Sequence, residues 1–223
     1  MKIINYINVG GIRIRFLDEH EFEIDSTYGN FKSGQISNPY DKRTYGVGYK
    51  GDGKYVTRIN KANSIDNITW HDIIRRCYCE DYINKHPAYR GCSVAEEWHN
   101  FQNFAEWYHE NYYDIGEGRI HIDKDILVKG NRIYSPDTCL IVPQRINMIF
   151  MNKPNKWNLP NGISMSKTGK YITNYNGKHL GIMKTLDEAI NAHDKEMRIH
   201  IKNITEEYKG LLPDKVRDAL LNW

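Results

Sequence analysis

Arg119 to Phe150 reads RIHIDKDILVKGNRIYSPDTCLIVPQRINMIF. At its start Ile120 and Ile122 alternate with His121 and Asp123, so Arg119 to Leu127 has the period of a half-buried strand. Lys129-Gly130-Asn131 follows, and such residues tolerate the positive φ of a hairpin loop. Tyr134-Ser135-Pro136-Asp137 punctuates a returning strand. Pro143 suits the first turn of a helix, where its missing N–H is an orphan in any case. Val142, Ile146, Ile149 and Phe150 then fall at helical spacing. The expectation is strand, loop, strand, helix.

The same residues resemble the ββα-metal core of HNH nucleases, in the form found among phage-encoded homing-type endonucleases. The matching pieces are Ile122-Asp123-Lys124, Gly130-Asn131, Tyr134-Ser135-Pro136-Asp137-Thr138-Cys139 and Gln144-Arg145-Ile146-Asn147. In that family a carboxylate or imidazole on the first strand and a ligand on the helix hold a divalent metal, and a His after the strand Asp activates water. The resemblance implies Mg²⁺ or another divalent ion, with Asp123, Thr138 and Asn147 at ligand positions and Asp123 and Lys124 at catalytic ones. The pattern is degenerate. Lys124 stands where the base belongs, and an ammonium is protonated at neutral pH unless burial lowers its pKa by several units. Thr138 stands where the motif has Asn.

The whole chain sets wider bounds. Its 223 residues can bury a real core, and 40% hydrophobic with 26% charged residues is ordinary for a globular protein. No apolar run approaches the roughly 18 residues of a membrane span, and the start lacks a signal-peptide pattern. Cys77, Cys79, Cys92 and Cys139 contain no C-x-x-C pair, so reduced thiols in a cytosolic protein are expected ahead of zinc or disulfides. The net charge is only +3, but no acid lies between Asp137 and Asp187. That window carries Arg145, Lys153, Lys156, Lys167, Lys170, Lys178 and Lys184, a local field that favours a polyanion.

Residues 1–60 read as a β module. Ile12, Ile14 and Phe16 alternate with Arg13 and Arg15, and Phe22 and Ile24 with Glu21, Glu23 and Asp25, which predicts a hairpin with facing Arg and Glu rows. Gly46 to Lys54 is Gly-rich, but it lacks dinucleotide spacing and a Gly-Lys-Ser/Thr end, so it reads as turns. Two helices should follow within 61–150. Thr69 to Asp72 opens the first, with Trp70, Ile73, Ile74 and Cys77 on one face. A Ser93-x-x-Glu96 capping box opens the second, with Trp98, Phe101, Phe104, Ala105 and Tyr108 as its core stripe.

Residues 151–159 (MNKPNKWNL) read as a basic linker, and 160–223 as a further domain. Asn176-Gly177 signals a hairpin, Tyr171, Thr173 and Tyr175 alternate with Lys170, Ile172 and Asn174, and Thr185-x-x-Glu188 is a capping box. Ala189, His193, Met197, Ile201, Ile204 and Tyr208 then recur at helical spacing. This order resembles the ethylene-response-factor (apetala-type) DNA-binding domain, which packs three antiparallel strands on one helix and lays the sheet in the major groove. The resemblance implies contacts to double-stranded DNA from Ser164, Ser166, Lys170, Asn174 and His179, and the basic window adds Lys153, Lys156, Lys167 and Lys178. Ser, Asn, Lys and His stand where the plant form has Arg and Trp, which weights phosphate over base-edge contacts.

The expected fold class is therefore α+β: an N-terminal β module, a helical and ββα middle, and a C-terminal sheet on one helix. The expected function is a phage-type homing or nicking endonuclease acting on duplex DNA in a bacterial cytoplasm, with no membrane partner. Two alternatives stand beside it. One is an inactive descendant that binds DNA or a host protein, for example to inhibit a host nuclease, and the other is a transcription factor.

Overall fold

The computed structural model describes residues 1–116, 118–151 and 155–223, and its fold is α+β. Packing divides the chain into two units, Met1–Glu110 and Asn111–Trp223.

The first unit begins with three antiparallel strands in the order β1-β2-β3: β1 (Lys2–Asn8), β2 (Gly11–Arg15) and β3 (Glu23–Ser26). The facing charge rows form as expected. Arg13 lies opposite Asp25 and Arg15 opposite Glu23, and Glu23 accepts from Arg13 Nε at 2.9 Å and Arg15 Nη2 at 2.6 Å. After α1 (Tyr28–Ser33) come the short strands β4 (Arg58–Ile59) and β5 (Ala62–Asn63) and the helices α2 (Ile65–Tyr78) and α3 (Glu80–Lys85). A two-residue strand β6 (Ser93–Val94) precedes α4 (Phe101–Asn111).

Both helix starts differ from the expected ones. α2 begins a turn earlier, at Ile65, with Asp66 placed favourably in its positive first turn. Ser93 is in a strand, and α4 starts after Asn100, whose Oδ1 accepts from Gln102 N at 3.0 Å. The expected apolar residues are buried, Trp70, Ile73 and Ile74 on α2, Phe101 and Phe104 on α4 and Trp98 in the turn before it, and Trp70 Nε1 donates to Trp98 O at 2.7 Å. The Gly-rich segment is packing. Gly51 has φ +67° and a Cβ there would sit 2.1 Å from Asn100 Oδ1, so only glycine lets the loop lie against α4.

The second unit holds β7 (Ile120–Asp123), β8 (Ile133–Tyr134), β9 (Leu140–Pro143) and α5 (Gln144–Phe150). Then follow β10 (Ile163–Met165), β11 (Tyr171–Tyr175), β12 (Lys178–Met183), α6 (Leu186–Glu207) and α7 (Asp214–Leu221). β7 pairs antiparallel with β9, Ile122 opposite Ile141, so the ββα order forms, but the first strand stops at Asp123 rather than Leu127 and its partner is Leu140–Pro143 rather than the run around Tyr134. Val142 belongs to β9, and Pro143 precedes the helix instead of opening it. β10, β11 and β12 form the expected antiparallel sheet, with Asn176 (φ 46°) and Gly177 (φ 80°) in the hairpin turn. The Thr185–Glu188 capping box is present on α6 and is worth about 1 kcal/mol.

The expected boundaries at 60/61 and 150/160 do not coincide with the packing. One core joins Ile126, Leu140, Val142 and Ile146 of the ββα region to Met197, Ile201 and Ile204 of α6 and to Val216 and Leu220 of α7. α6 is long enough to serve both neighbours, since it also covers the sheet at Thr173 and Tyr175. The described part of 151–159 holds no helix or strand, as expected of a connection, but it is pinned in place. Asn155 Nδ2 donates to Leu159 O and Ile163 O, both at 3.0 Å, while its Oδ1 accepts from Trp157 N at 3.0 Å, folding the segment into the start of β10.

Candidate functional site

The loop after β7 is built by two reciprocal clamps. Asp123 closes the strand end, with Oδ1 accepting from Asp125 N at 2.7 Å and Ile126 N at 2.8 Å. Burial pushes the Asp123 carboxyl up from its ordinary pKa, against the pull of those two amides. Lys124 is only 8% exposed. Its Nζ donates to Asp125 Oδ2 and to Asn131 O, both at 2.7 Å. Asn131 answers through Nδ2, which donates to Lys124 O at 2.9 Å and Ile133 O at 2.7 Å. The Lys-Gly-Asn turn therefore exists to carry Asn131 back to Lys124.

The remaining expected ligands are also engaged. Thr138 Oγ1 donates to Ile133 O at 2.9 Å and lies 2.8 Å from Ser135 Oγ, inside a turn. Asn147 on α5 places Nδ2 3.2 Å from His121 Nδ1. Asp123 Oδ1, Thr138 Oγ1 and Asn147 Nδ2 thus each bond a different partner. Among the described residues, no group of three or more His, Cys, Asp or Glu is placed to hold a metal. The base position fares similarly, because an ammonium held between a carboxylate and a carbonyl has no lone pair to offer. His121 was not singled out by sequence. Its only signal was the i, i+2 relation to Asp123, which puts both on one face of β7.

Cys139, next to this loop, is fully buried, and burial raises its thiol to about 12. The four cysteines form no disulfide. Tyr113 OH donates to Ile141 O at 2.8 Å, and its burial raises its pKa as well.

The sheet β10–β12 has two faces. Ile163 and Thr173 are buried on the face toward α6, and Tyr175 OH meets His200 Nδ1 of that helix at 2.8 Å. The register (Ser164 opposite Ile172, Ile172 opposite Ile182, Asn174 opposite His179) assembles the other face from Ser164, Ile172, Asn174, His179 and Ile182. Strand alternation adds Lys170 and Lys184 at its end, both exposed. Asn174 Oδ1 and His179 Nδ1 are 3.1 Å apart. Ser166 stands in the β10–β11 turn, where its Oγ accepts from Lys170 N at 3.0 Å, and Lys167 is exposed in the same turn. Lys156 is exposed, 4.3 Å over the Trp157 ring. Lys153 lies outside the described residues.

Two cations of the acid-free window are not on that face. Lys178 pairs with the α6 carboxylate of Glu196 at 3.1 Å, and Arg145 with Glu207 at 3.0 Å. The sequence window had no acids, but folding brings α6 and its carboxylates alongside. Conversely, Ile182 and Lys184 were missing from the expected face, because the β11–β12 bulge after Thr173 had to be known before the far strand could be assigned. Ile182 is 56% exposed, giving the face an apolar centre.

No protein family, curated protein or solved structure matches the chain in comparisons of sequence and fold. No helix among the described residues is long and apolar enough to cross a membrane.

Proposed function

We propose that the chain binds duplex DNA through the outward face of β10–β12, and that its ββα region is a structural scaffold without hydrolytic chemistry. One observation carries the binding reading. The three strands contain no carboxylate, while Lys170 and Lys184 flank one end of the outward face and Lys167 stands in the adjoining turn. Lysines so placed neutralise phosphates, and Ser164, Asn174 and His179 offer donors and acceptors to base edges or sugars. Ile172 and Ile182 suit apolar contact with thymine methyls. Two strand spacings make the sheet about 10 Å across, which a major groove about 12 Å wide accepts.

The scaffold reading rests on Lys124, whose ammonium braces the loop that would otherwise carry the chemistry. A nicking enzyme keeps one observation on its side: His121 and Asp123 share a face of β7, and His121 meets Asn147. A plasmid-nicking assay with Mg²⁺ or Mn²⁺ separates the two, and nicking that disappears in His121→Ala would establish the enzyme.

DNA binding is tested by fluorescence anisotropy across a salt series. Replacing Lys167, Lys170 and Lys184 by Gln should weaken binding and flatten the log K against log salt slope by about 0.9 per lysine. Lys178→Gln should change it little, since Glu196 already holds that ammonium. Binding that is indifferent to the triple substitution overturns the reading.

A further inference from the structure

The long helix α6 has a side that neither the sheet nor the ββα core uses. At about 100° per residue, Asn191, Lys195, Arg198 and Lys202 project within roughly 60° of arc. That arc lies away from Ala189, Met197, Ile201 and Ile204, which are buried. Lys195, Arg198 and Lys202 are exposed, and with Asn191, Asp194 and Ile199 they line a shallow groove along the helix.

Two α6 carboxylates stand beside this stripe, Asp187 exposed one turn before Asn191 and Asp194 on the groove itself, but neither makes an ion pair with its cations. Glu196 is taken by Lys178, Glu206 by Lys209 and Glu207 by Arg145, while Asp194 lies 3.4 Å from His193 Nδ1. Lys195, Arg198 and Lys202 are left without an ion pair among the described residues. Three cations in a row without an ion pair, spread over about 10 Å of helix axis, match a line of phosphates better than a single point charge. Asn191 adds a neutral donor at one end.

We infer that this face of α6 is a second phosphate-backbone surface, on the opposite side of the helix from β10–β12. Given the proposed sheet contact, on which this step rests, the unit Asn111–Trp223 holds two duplex segments at once. A solvated basic helix would show no such stoichiometry.

The full chain would be titrated with a fluorescent 12-base-pair duplex and followed by sedimentation velocity at low salt. The parent should carry two duplexes. Lys195→Gln, Arg198→Gln and Lys202→Gln together should leave one, with unchanged circular dichroism, because all three side chains are exposed. Lys167→Gln, Lys170→Gln and Lys184→Gln should independently leave one, and both sets together none. If the sheet variant keeps the parent's stoichiometry while the helix variant loses a duplex, the sheet reading fails and the helix surface stands. If the helix variant binds as the parent does, the inference is wrong. Loss of polyglutamate binding in the helix variant with duplex binding intact would assign the stripe to an acidic protein and also overturn it.

Discussion

Lys124→Met separates a brace from a catalytic group. Methionine fills nearly the same volume as the buried lysine stem, so the change removes the ammonium and its two hydrogen bonds with little cavity. The bond to Asp125 is discounted, since that side chain is 42% exposed and regains water when released. The bond to the Asn131 carbonyl, with a charged donor, contributes about 1.5–3 kcal/mol. The expected loss is on the order of 2–3 kcal/mol. With a urea m-value of about 2 kcal/mol/M, the unfolding midpoint should fall by roughly 1–1.5 M at unchanged m. Circular dichroism reads this directly, because α6 contributes the longest helix. Asp125→Asn should cost far less, by the same exposure argument. Lys124→His should also destabilise and should create no nicking activity, because a shorter imidazole does not reach Asn131. An unchanged midpoint in Lys124→Met would refute the brace, and nicking gained by Lys124→His would restore the base position.

Three further outcomes follow from the same geometry. Asp123→Asn keeps the acceptor for the Asp125 and Ile126 amides but removes a carboxyl whose pKa burial raises; such a group favours folding when protonated and loses that advantage as pH rises through its folded pKa, so the variant should gain on the parent at pH 7 and not at low pH, as paired urea titrations would show. Thr173→Val should stabilise by about 1 kcal/mol in thermal unfolding, because the fully buried Thr173 Oγ1 has no hydrogen-bond partner among the described residues and valine has the same shape. Iodoacetamide at pH 8 should label Cys79 first and spare Cys139 until urea is added, since Cys139 is inaccessible and its thiol is raised to about 12; peptide mass spectrometry distinguishes the sites.

Much of this architecture is local and so was written in the sequence. The Arg13/Arg15 and Glu23/Asp25 rows, the Asn176-Gly177 turn, the Thr185–Glu188 cap and the apolar stripes of α2, α4 and α6 depend on alternation, positive φ and helical period, and a residue's neighbours in the chain determine all three. Element starts were less legible: the Ser93-x-x-Glu96 spacing lies in a strand, and α4 starts after Asn100, where Tyr49 of the distant Gly-rich segment bonds His99 O and Phe101 N. The candidate site depended on tertiary structure almost throughout. Whether Lys124 was a base or a brace turned on where Asn131 came to rest, seven residues away. Which lysines faced outward turned on a bulge in β12 pairing and on α6, whose carboxylates lie beyond the acid-free window in sequence and beside it in space. The merging of the ββα region with the C-terminal helices was likewise invisible. An apolar stripe tells that a helix will bury one side, but which partner covers it is decided only when the distant surfaces meet.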